Sequence, residues 1–384
     1  MEVFAAALRL GLTSFGGPIA HLGYFREEYV VRRRWLDDSA YSELVGLCQF
    51  LPGPASSQVG YAIGWLRAGV RGAFAAWIAF TLPSAILMFI FAVVERSFRG
   101  AMANAVVHGL KLAALAVVAQ AIIGMARTLT PDLPRIIIAA VGAALMLLIA
   151  NPAMQVVLIA AGALAGMLVC RGVTPTSSTH EGRVPTRRIG MFALSLFAAL
   201  LIGLPVVAPT SDWIALANAF YRSGALVFGG GHVVLPLLRA GLVPRWMNDT
   251  AFLSGYGAAQ AVPGPLFSIG SYLGAAAKPN APLIGAALGT VAIFLPGLLL
   301  VTGSLAFRET IIASNHAKRA IAGVNAVVVG LLIAAFYDPL WKSAVVTAFD
   351  IIVAGLALLL LVRLRAPPIL VVSACVAASA VLSV

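Results

Sequence analysis

Apolar residues in this chain gather into long runs with little polar interruption. The stretches 74–94, 105–126, 284–302 and 321–336 approach or exceed the roughly 20 residues that carry a helix across a hydrocarbon core. Other runs are shorter. Residues 39–51 and 55–66 flank Pro52-Gly53-Pro54, and neither is long enough for a comfortable crossing, so the triplet reads as the tip of a re-entrant helical hairpin. The same reading applies around Phe15-Gly16-Gly17-Pro18. Full spans are expected near 72–95, 104–126, 136–150 and 153–170, and one more over 191–207.

Composition agrees with that pattern. At 61% hydrophobic and 10% charged residues, with a mean hydropathy of +0.98, the chain cannot coat a soluble globule with polar surface. The net charge of +12 would suit nucleic acid, but the Lys and Arg residues fall mainly in short connections between apolar runs, where they set topology instead. The lipid bilayer, not nucleic acid, is the expected partner. Cys48, Cys170 and Cys375 stand far apart with no His pair at ligand spacing, which predicts small buried hydrophobes and no metal or cofactor. Residues 1–15 lack a basic n-region and a small-residue cleavage site, so the opening segment is expected to stay in the protein.

The chain also repeats itself. Arg9, Gly11, Phe15, Gly16 and Gly17 recur at the same spacing as Arg222, Gly224, Phe228, Gly229 and Gly230. Trp35, Asp38, Gly46, Gln49, Pro52, Gly53, Pro54, Ser57 and Tyr61 recur as Trp246, Asp249, Gly257, Gln260, Pro263, Gly264, Pro265, Ser268 and Tyr272. Further on, Gly72, Pro83 and Gly109 match Gly285, Pro296 and Gly323. These matches predict an all-α polytopic membrane protein of two homologous halves, residues 1–170 and 213–384. Residues 171–212 join them as a polar, Thr- and Ser-rich cytoplasmic linker followed by one span. A single connecting span turns the second half over, which makes an inverted-topology repeat with broken and re-entrant helices. The basic residues agree: Arg26, Arg32, Arg33 and Arg34 follow the first motif and only Arg239 and Arg245 follow its counterpart, which puts the N-terminus in the cytoplasm.

Inverted repeats whose helices break at matching Gly and Pro positions build substrate sites near the bilayer midplane in secondary transporters. The breaks here are Phe15-Gly16-Gly17 with Phe228-Gly229-Gly230, followed by His232, and Pro52-Gly53-Pro54 with Pro263-Gly264-Pro265. They free backbone groups that lipid cannot satisfy. A helix restarting after each triplet would leave the N–H groups of Ala55, Ser56 and Ser57, or of Leu266, Phe267 and Ser268, unpaired. Such an end carries about half a positive charge and attracts anions; Ser56, Ser57 and Ser268 add hydroxyl donors.

An oxyanion in an apolar interior loses solvation worth on the order of tens of kcal/mol by Born estimates, so formal positive charge is wanted nearby. Arg9 and Arg222, seven residues before the glycine pairs, either supply it through bidentate hydrogen bonds or snorkel to the surface. Gln49 and Gln260 either donate to a substrate or cap the broken helix, and Lys111, whose counterpart is Asn325, is a pathway residue or an anchor. Glu43 and Asp350 are the acids expected at membrane depth, Glu43 as a proton relay or as a helix-start acid facing water. His21 and His232 are lone histidines, for which a structural role is the ordinary reading. Trp35 and Trp246 read as interfacial anchors, with Asp37, Asp38 and Asp249 capping the next helix. Nothing resembles the nucleophile and base cluster of a membrane enzyme, while a passive anion channel stays open beside a carrier.

Phe15-Gly16-Gly17-Pro18, His21-Leu22-Gly23-Tyr24-Phe25-Arg26 and Leu47-Cys48-Gln49-Phe50-Leu51-Pro52-Gly53-Pro54-Ala55 are answered by Phe228-Gly229-Gly230-Gly231-His232 and Gln260-Ala261-Val262-Pro263-Gly264-Pro265. On these motifs the chain resembles the long-chain, two-domain chromate transporters of bacteria over nearly its whole length. The resemblance implies chromate efflux across the inner membrane, conferring chromate resistance, with sulfate as an isosteric competitor. A transporter of sulfate or a related oxyanion is the alternative, and a homodimer is compatible with either. The chain starts close to its first motif, where family members often carry a longer N-terminus, and this would bring Arg9 nearer the surface.

Overall fold

The computed structural model describes residues 1–14, 17–97, 101–149, 152–170, 183–227, 234–308, 315–364 and 366–382. Among them, helices are the only regular structure. The first half runs α1 (Glu2–Thr13), α2 (Gly17–Phe25), a π-helical stretch (Arg26–Arg32), α3 (Asp38–Phe50), α4 (Ala55–Ser97), α5 (Ala101–Leu129), α6 (Leu133–Leu148) and α7 (Pro152–Val169). After the connecting α8 (Arg187–Val207) come α9 (Asp212–Ala225), α10 (Val234–Leu242), α11 (Asp249–Ala261) and a 3-10 turn (Leu266–Ser268). The chain ends with α12 (Ile269–Ala277), α13 (Pro282–Ala306), α14 (Asn315–Ala335), α15 (Ala348–Val362) and α16 (Pro368–Leu382).

The two series match in order. What α12 and α13 do separately, α4 does in one run bent at Ala68 and Gly69, where Gly69 takes φ +65°, a conformation open to glycine. Among the described residues, five helical stretches are long and apolar enough to cross a bilayer: Ala55–Glu95, Asn104–Arg127, Arg187–Thr210, Pro282–Ala306 and Lys318–Asp338. The segments near 136–150 and 153–170, expected as full spans, form α6 and α7 of 16 and 18 residues. At 1.5 Å per residue α6 reaches only about 24 Å, short of a ~30 Å core.

Glycines bring the helices together, as is usual where lipid gives helices no hydrophobic reason to associate. A Cβ on Gly11 of α1 would stand 2.7 Å from Phe80 O of α4, and one on its counterpart Gly224 of α9 would stand 2.1 Å from Ile293 O of α13. The same device interleaves the halves. Gly109 of α5 backs onto α16, where a Cβ would meet Val376 Cα at 2.5 Å, and its counterpart Gly323 of α14 backs onto α7, where it would meet Gly162 O at 2.0 Å. Each half therefore lends its last helices to the other.

Polar contacts at the helix ends repeat as well. Arg26 Nε donates to Asp38 Oδ1 at 2.7 Å, and Arg239 Nε to Asp249 Oδ1 at 2.7 Å. Asp38 and Asp249 are thus ion-pair partners and not the expected caps. The cap is the preceding residue, whose side chain folds back onto the first turn: Asp37 accepts from Ala40 N–H at 2.7 Å, and Asn248 from Ala251 N–H at 2.9 Å. Trp35 lies under the Arg33 and Arg67 guanidinium groups, and Trp246 under that of Arg245. Arg67 pairs with Glu2, and Lys278, in the corresponding position, pairs with Asp212.

Candidate functional site

The two Pro-Gly-Pro turns cross between the halves. Gly53 and Gly264, at φ +122° and +98°, hold backbone conformations that side chains resist. In these conformations Gly53 N–H donates to Val227 O at 2.7 Å, and Gly264 N–H donates to Ser14 O at 2.9 Å. Ser14 and Val227 are repeat counterparts at the ends of α1 and α9. Each tip also rests on the proline-bearing helix of the other half: Gly53 against Gly297, next to Pro296 of α13, and Gly264 against Ser84, next to Pro83 of α4. Gln58 holds one crossing closed, its Nε2 donating to Pro52 O at 2.9 Å and to Gly297 O at 3.2 Å.

Polar side chains gather around these turns. Ser14, His21, Ser56, Ser57, Gln58 and Thr81 are buried, and His21 Nδ1 lies 3.3 Å from Ser56 Oγ with the ring edge-on to Phe80. Ser14 Oγ, His21 Nε2, Ser57 Oγ, Thr81 Oγ1 and Gln260 Nε2 are buried without a hydrogen-bond partner, as is Gln58 Oε1. Each such atom costs about 1–3 kcal/mol. Concentrating them in one place is unfavourable for a purely structural core and favourable for receiving a polar ligand. The first backbone bond of α4 runs from Gln58 N–H to Pro54 O at 3.0 Å, so the amides of residues 55–57 face the same region. The second half differs from expectation here: its helix restarts as a 3-10 turn, and Ser268 N–H is used by Pro265 O at 2.9 Å.

The cluster is one-sided. In the repeat, Ser14, Gln58 and Thr81 correspond to Val227, Ile269 and Phe294, all buried and apolar. The pseudo-symmetric position is more apolar, keeping the buried Ser268 as the counterpart of Ser57.

Several expected residues lie elsewhere. Arg9 is exposed, its side chain 57% accessible, and its guanidinium is 3.8 Å from the buried carboxylate of Glu28, which also accepts from Arg32 and Arg33. Arg222 is half-buried and forms no ion pair among the described residues. Gln49 is exposed, unlike Gln260. Lys111 Nζ donates to Thr250 Oγ1 at 3.3 Å, joining α5 to the start of α11. Asp350 is a capping-box acid bound to Thr347 and 2.7 Å from His108 Nε2. Pro54, Pro265 and Ser268 are buried, Pro52 and Pro263 half-buried, and Gly17 opens α2. Phe15, Gly16, Phe228, Gly229, Gly230 and His232, and the side chain of Glu43, lie outside the described residues. Ser14, Gln58 and Thr81 were not legible from the repeat because they have no polar counterpart.

The chromate transporter family model matches residues 1–167 and again residues 214–380. The chain belongs to the chromate transporter family. Within that family, the chromate transport protein of Pseudomonas aeruginosa is 29% identical over 376 residues, covering 93% of this chain and 86% of that protein. The chromate transport protein of Cupriavidus metallidurans is 27% identical over 296 residues, 75% of this chain and 70% of that one. An uncharacterised transporter of Methanocaldococcus jannaschii is 23% identical over 340 residues, 87% of this chain and 83% of its own. No solved structure matches the chain. Family membership and the long apolar helices make it a multi-pass membrane transporter, and each matched region holds one Pro-Gly-Pro turn of the crossing.

Proposed function

We propose that the protein exports chromate from the cytoplasm, binding the oxyanion where the two Pro-Gly-Pro turns cross. The observation that carries this reading is the set of buried, unpartnered donors drawn from both halves: Ser14, Ser57, Thr81 and Gln260, with His21 beside them. A tetrahedral dianion presents oxygen acceptors in every direction and would satisfy them together. The start of α4 adds free amides and about half a positive charge. Arg222, half-buried one helical turn before the end of α9, is the candidate for formal charge. The substrate is taken from relatives named as chromate transport proteins.

In this reading the repeats 1–170 and 213–384, joined through 171–212, supply the two crossing hairpins, and their movement opens the site to each face in turn. The connecting helix α8 and the Arg-rich loop after the first motif favour an inverted repeat in the bacterial inner membrane with a cytoplasmic N-terminus. Sulfate shares the charge and shape of chromate and is the expected competitor.

The test is uptake of labelled chromate into inside-out vesicles by the parent and by Ser57→Ala, Gln260→Leu and Arg222→Ala. Saturable uptake with KM raised in the variants is expected. Flux that rises without saturation would indicate a channel, unchanged KM would remove the site, and a preference for sulfate would replace the substrate.

A further inference from the structure

Glu95 sits near the end of α4, roughly 17 Å along the helix from Ser84 at 1.5 Å per residue. It faces the opposite half. Ser254 Oγ donates to Glu95 Oε1 at 2.5 Å, and Tyr272 O–H donates to Glu95 Oε2 at 2.5 Å. Ser254 belongs to α11 and Tyr272 to α12, the two legs of the hairpin whose tip is Pro263-Gly264-Pro265. One carboxylate of the first half therefore clasps both legs of the second half's re-entrant hairpin. Both donors are buried.

The matching position in the other half is built differently. Tyr61, the counterpart of Tyr272, meets the neutral Thr302 hydroxyl at 3.2 Å, and the counterpart of Glu95 is Arg308, which has no acceptor oxygen to offer. The crossing is thus held by a titratable clasp on one side only.

We propose that Glu95 is a proton-binding site that couples oxyanion movement to protons. As a carboxylate it accepts one charge-assisted hydrogen bond on each oxygen, and such bonds are roughly twice as strong as neutral ones. When a proton from the aqueous face adds to one oxygen, that oxygen becomes a hydroxyl and the charge on the pair is lost. Tyr272 O–H then falls back on Ala251 O, which already lies at 2.9 Å, and this end of the hairpin loosens on α4, while Ser271 Oγ keeps its bond to Ala85 O at 2.8 Å. The hairpin tip is the Gly264 turn of the substrate site, so protonation at Glu95 and occupancy of the site act on the same rigid piece. Among the described residues, the other charged or titratable groups of the neighbouring elements include Tyr272 itself and the buried Tyr256 of α11, Lys111 of α5, turned to Thr250, and Asp249 of α11, already paired with Arg239. The Arg96 side chain lies outside the described residues.

The proposal rests on the transport reading for one arm of its test and is independent of it in the other. In proteoliposomes, Glu95→Gln is expected to retain chromate exchange between the two sides while losing accumulation driven by an imposed pH step. Thr302→Val, which alters the matching clasp, is expected to retain both. Accumulation by Glu95→Gln that follows the pH step as in the parent would overturn the proposal. The second arm needs no substrate: infrared difference spectra of the parent between acid and neutral pH should contain the C=O stretch of a protonated carboxyl that is missing from Glu95→Gln. Identical spectra would overturn the proposal even if the substrate were not chromate.

Discussion

Replacing Gly264 by Ala tests the crossing of the halves most directly. The residue has φ +98°, and a side chain forced into such a region costs about 1–3 kcal/mol. The new methyl would also stand 2.9 Å from Ser84 Oγ and 3.3 Å from Phe80 O. The hydroxyl can rotate away, but only by giving up its bond to Thr81 O at 2.9 Å, worth about 1 kcal/mol net. A loss of about 2–4 kcal/mol follows, or roughly a 30- to 1,000-fold fall in the folding equilibrium. Thermal or detergent titration of the purified protein, followed by tryptophan fluorescence, measures it. The repeat supplies the control, because the residue facing Gly53 at the corresponding place is Gly297. Adding Ser84→Gly should therefore recover the steric part and leave the backbone part of about 1–3 kcal/mol. A Gly264→Ala protein as stable as the parent would refute the left-handed turn, and complete recovery by Ser84→Gly would refute backbone strain.

Gln260→Leu should weaken chromate binding while leaving stability unchanged or raising it by up to about 1–3 kcal/mol, because an unpaired buried donor is removed; melting with and without chromate separates the two effects. Arg9→Ala should cost less than about 1 kcal/mol and leave vesicle uptake near parental, because Arg9 is exposed and Arg32 and Arg33 stay on Glu28; loss of saturable uptake would return Arg9 to the site. Lys278, hydrogen-bonded to Asp212, holds that carboxyl below the usual aspartate range. The folded value is then lower than the unfolded one, so its stabilisation is present above the ordinary aspartate range and lost as pH falls through the folded value. Asp212→Asn should accordingly flatten the acid limb of a melting-temperature profile, and an unchanged limb would show the pair contributes nothing.

Much of the architecture could be read from internal similarity. The repeated Pro-Gly-Pro triplets mark the two hairpin tips, and Gly11 with Gly224 marks the close approach of the first helix to the proline-bearing one in each half. What similarity could not give is the exchange of partners between halves, since a repeat reports spacing within each copy and is silent on which copy Gly53 N–H meets. It also searches for matched residues, which finds Ser57 and Gln260 but misses the unmatched part of the polar site: Thr81 faces the region where the other half has Phe294, and Gln58 stands where it has Ile269. Arg9 and Arg222 are repeat counterparts, but among the described residues the buried Glu28 gives a carboxylate to Arg9 and none is paired with Arg222, so identical positions have different surroundings. Glu95 follows an apolar run beside Arg96, as a helix-end acid would, so its sequence carries no sign of the clasp.

The exchange of partners has a consequence for how the chain is made. When the first half leaves the ribosome, neither Val227 nor Gly297 exists, and the Gly53 turn has nothing to close on. The same nascent half holds α6 and α7 ready for a helix, α14, that has yet to be translated. Its insertion must therefore be provisional, with the final arrangement locking only after the second half arrives. Severing the chain in the 171–182 connection should yield two fragments that accumulate when made together in one cell and are degraded when either is made alone.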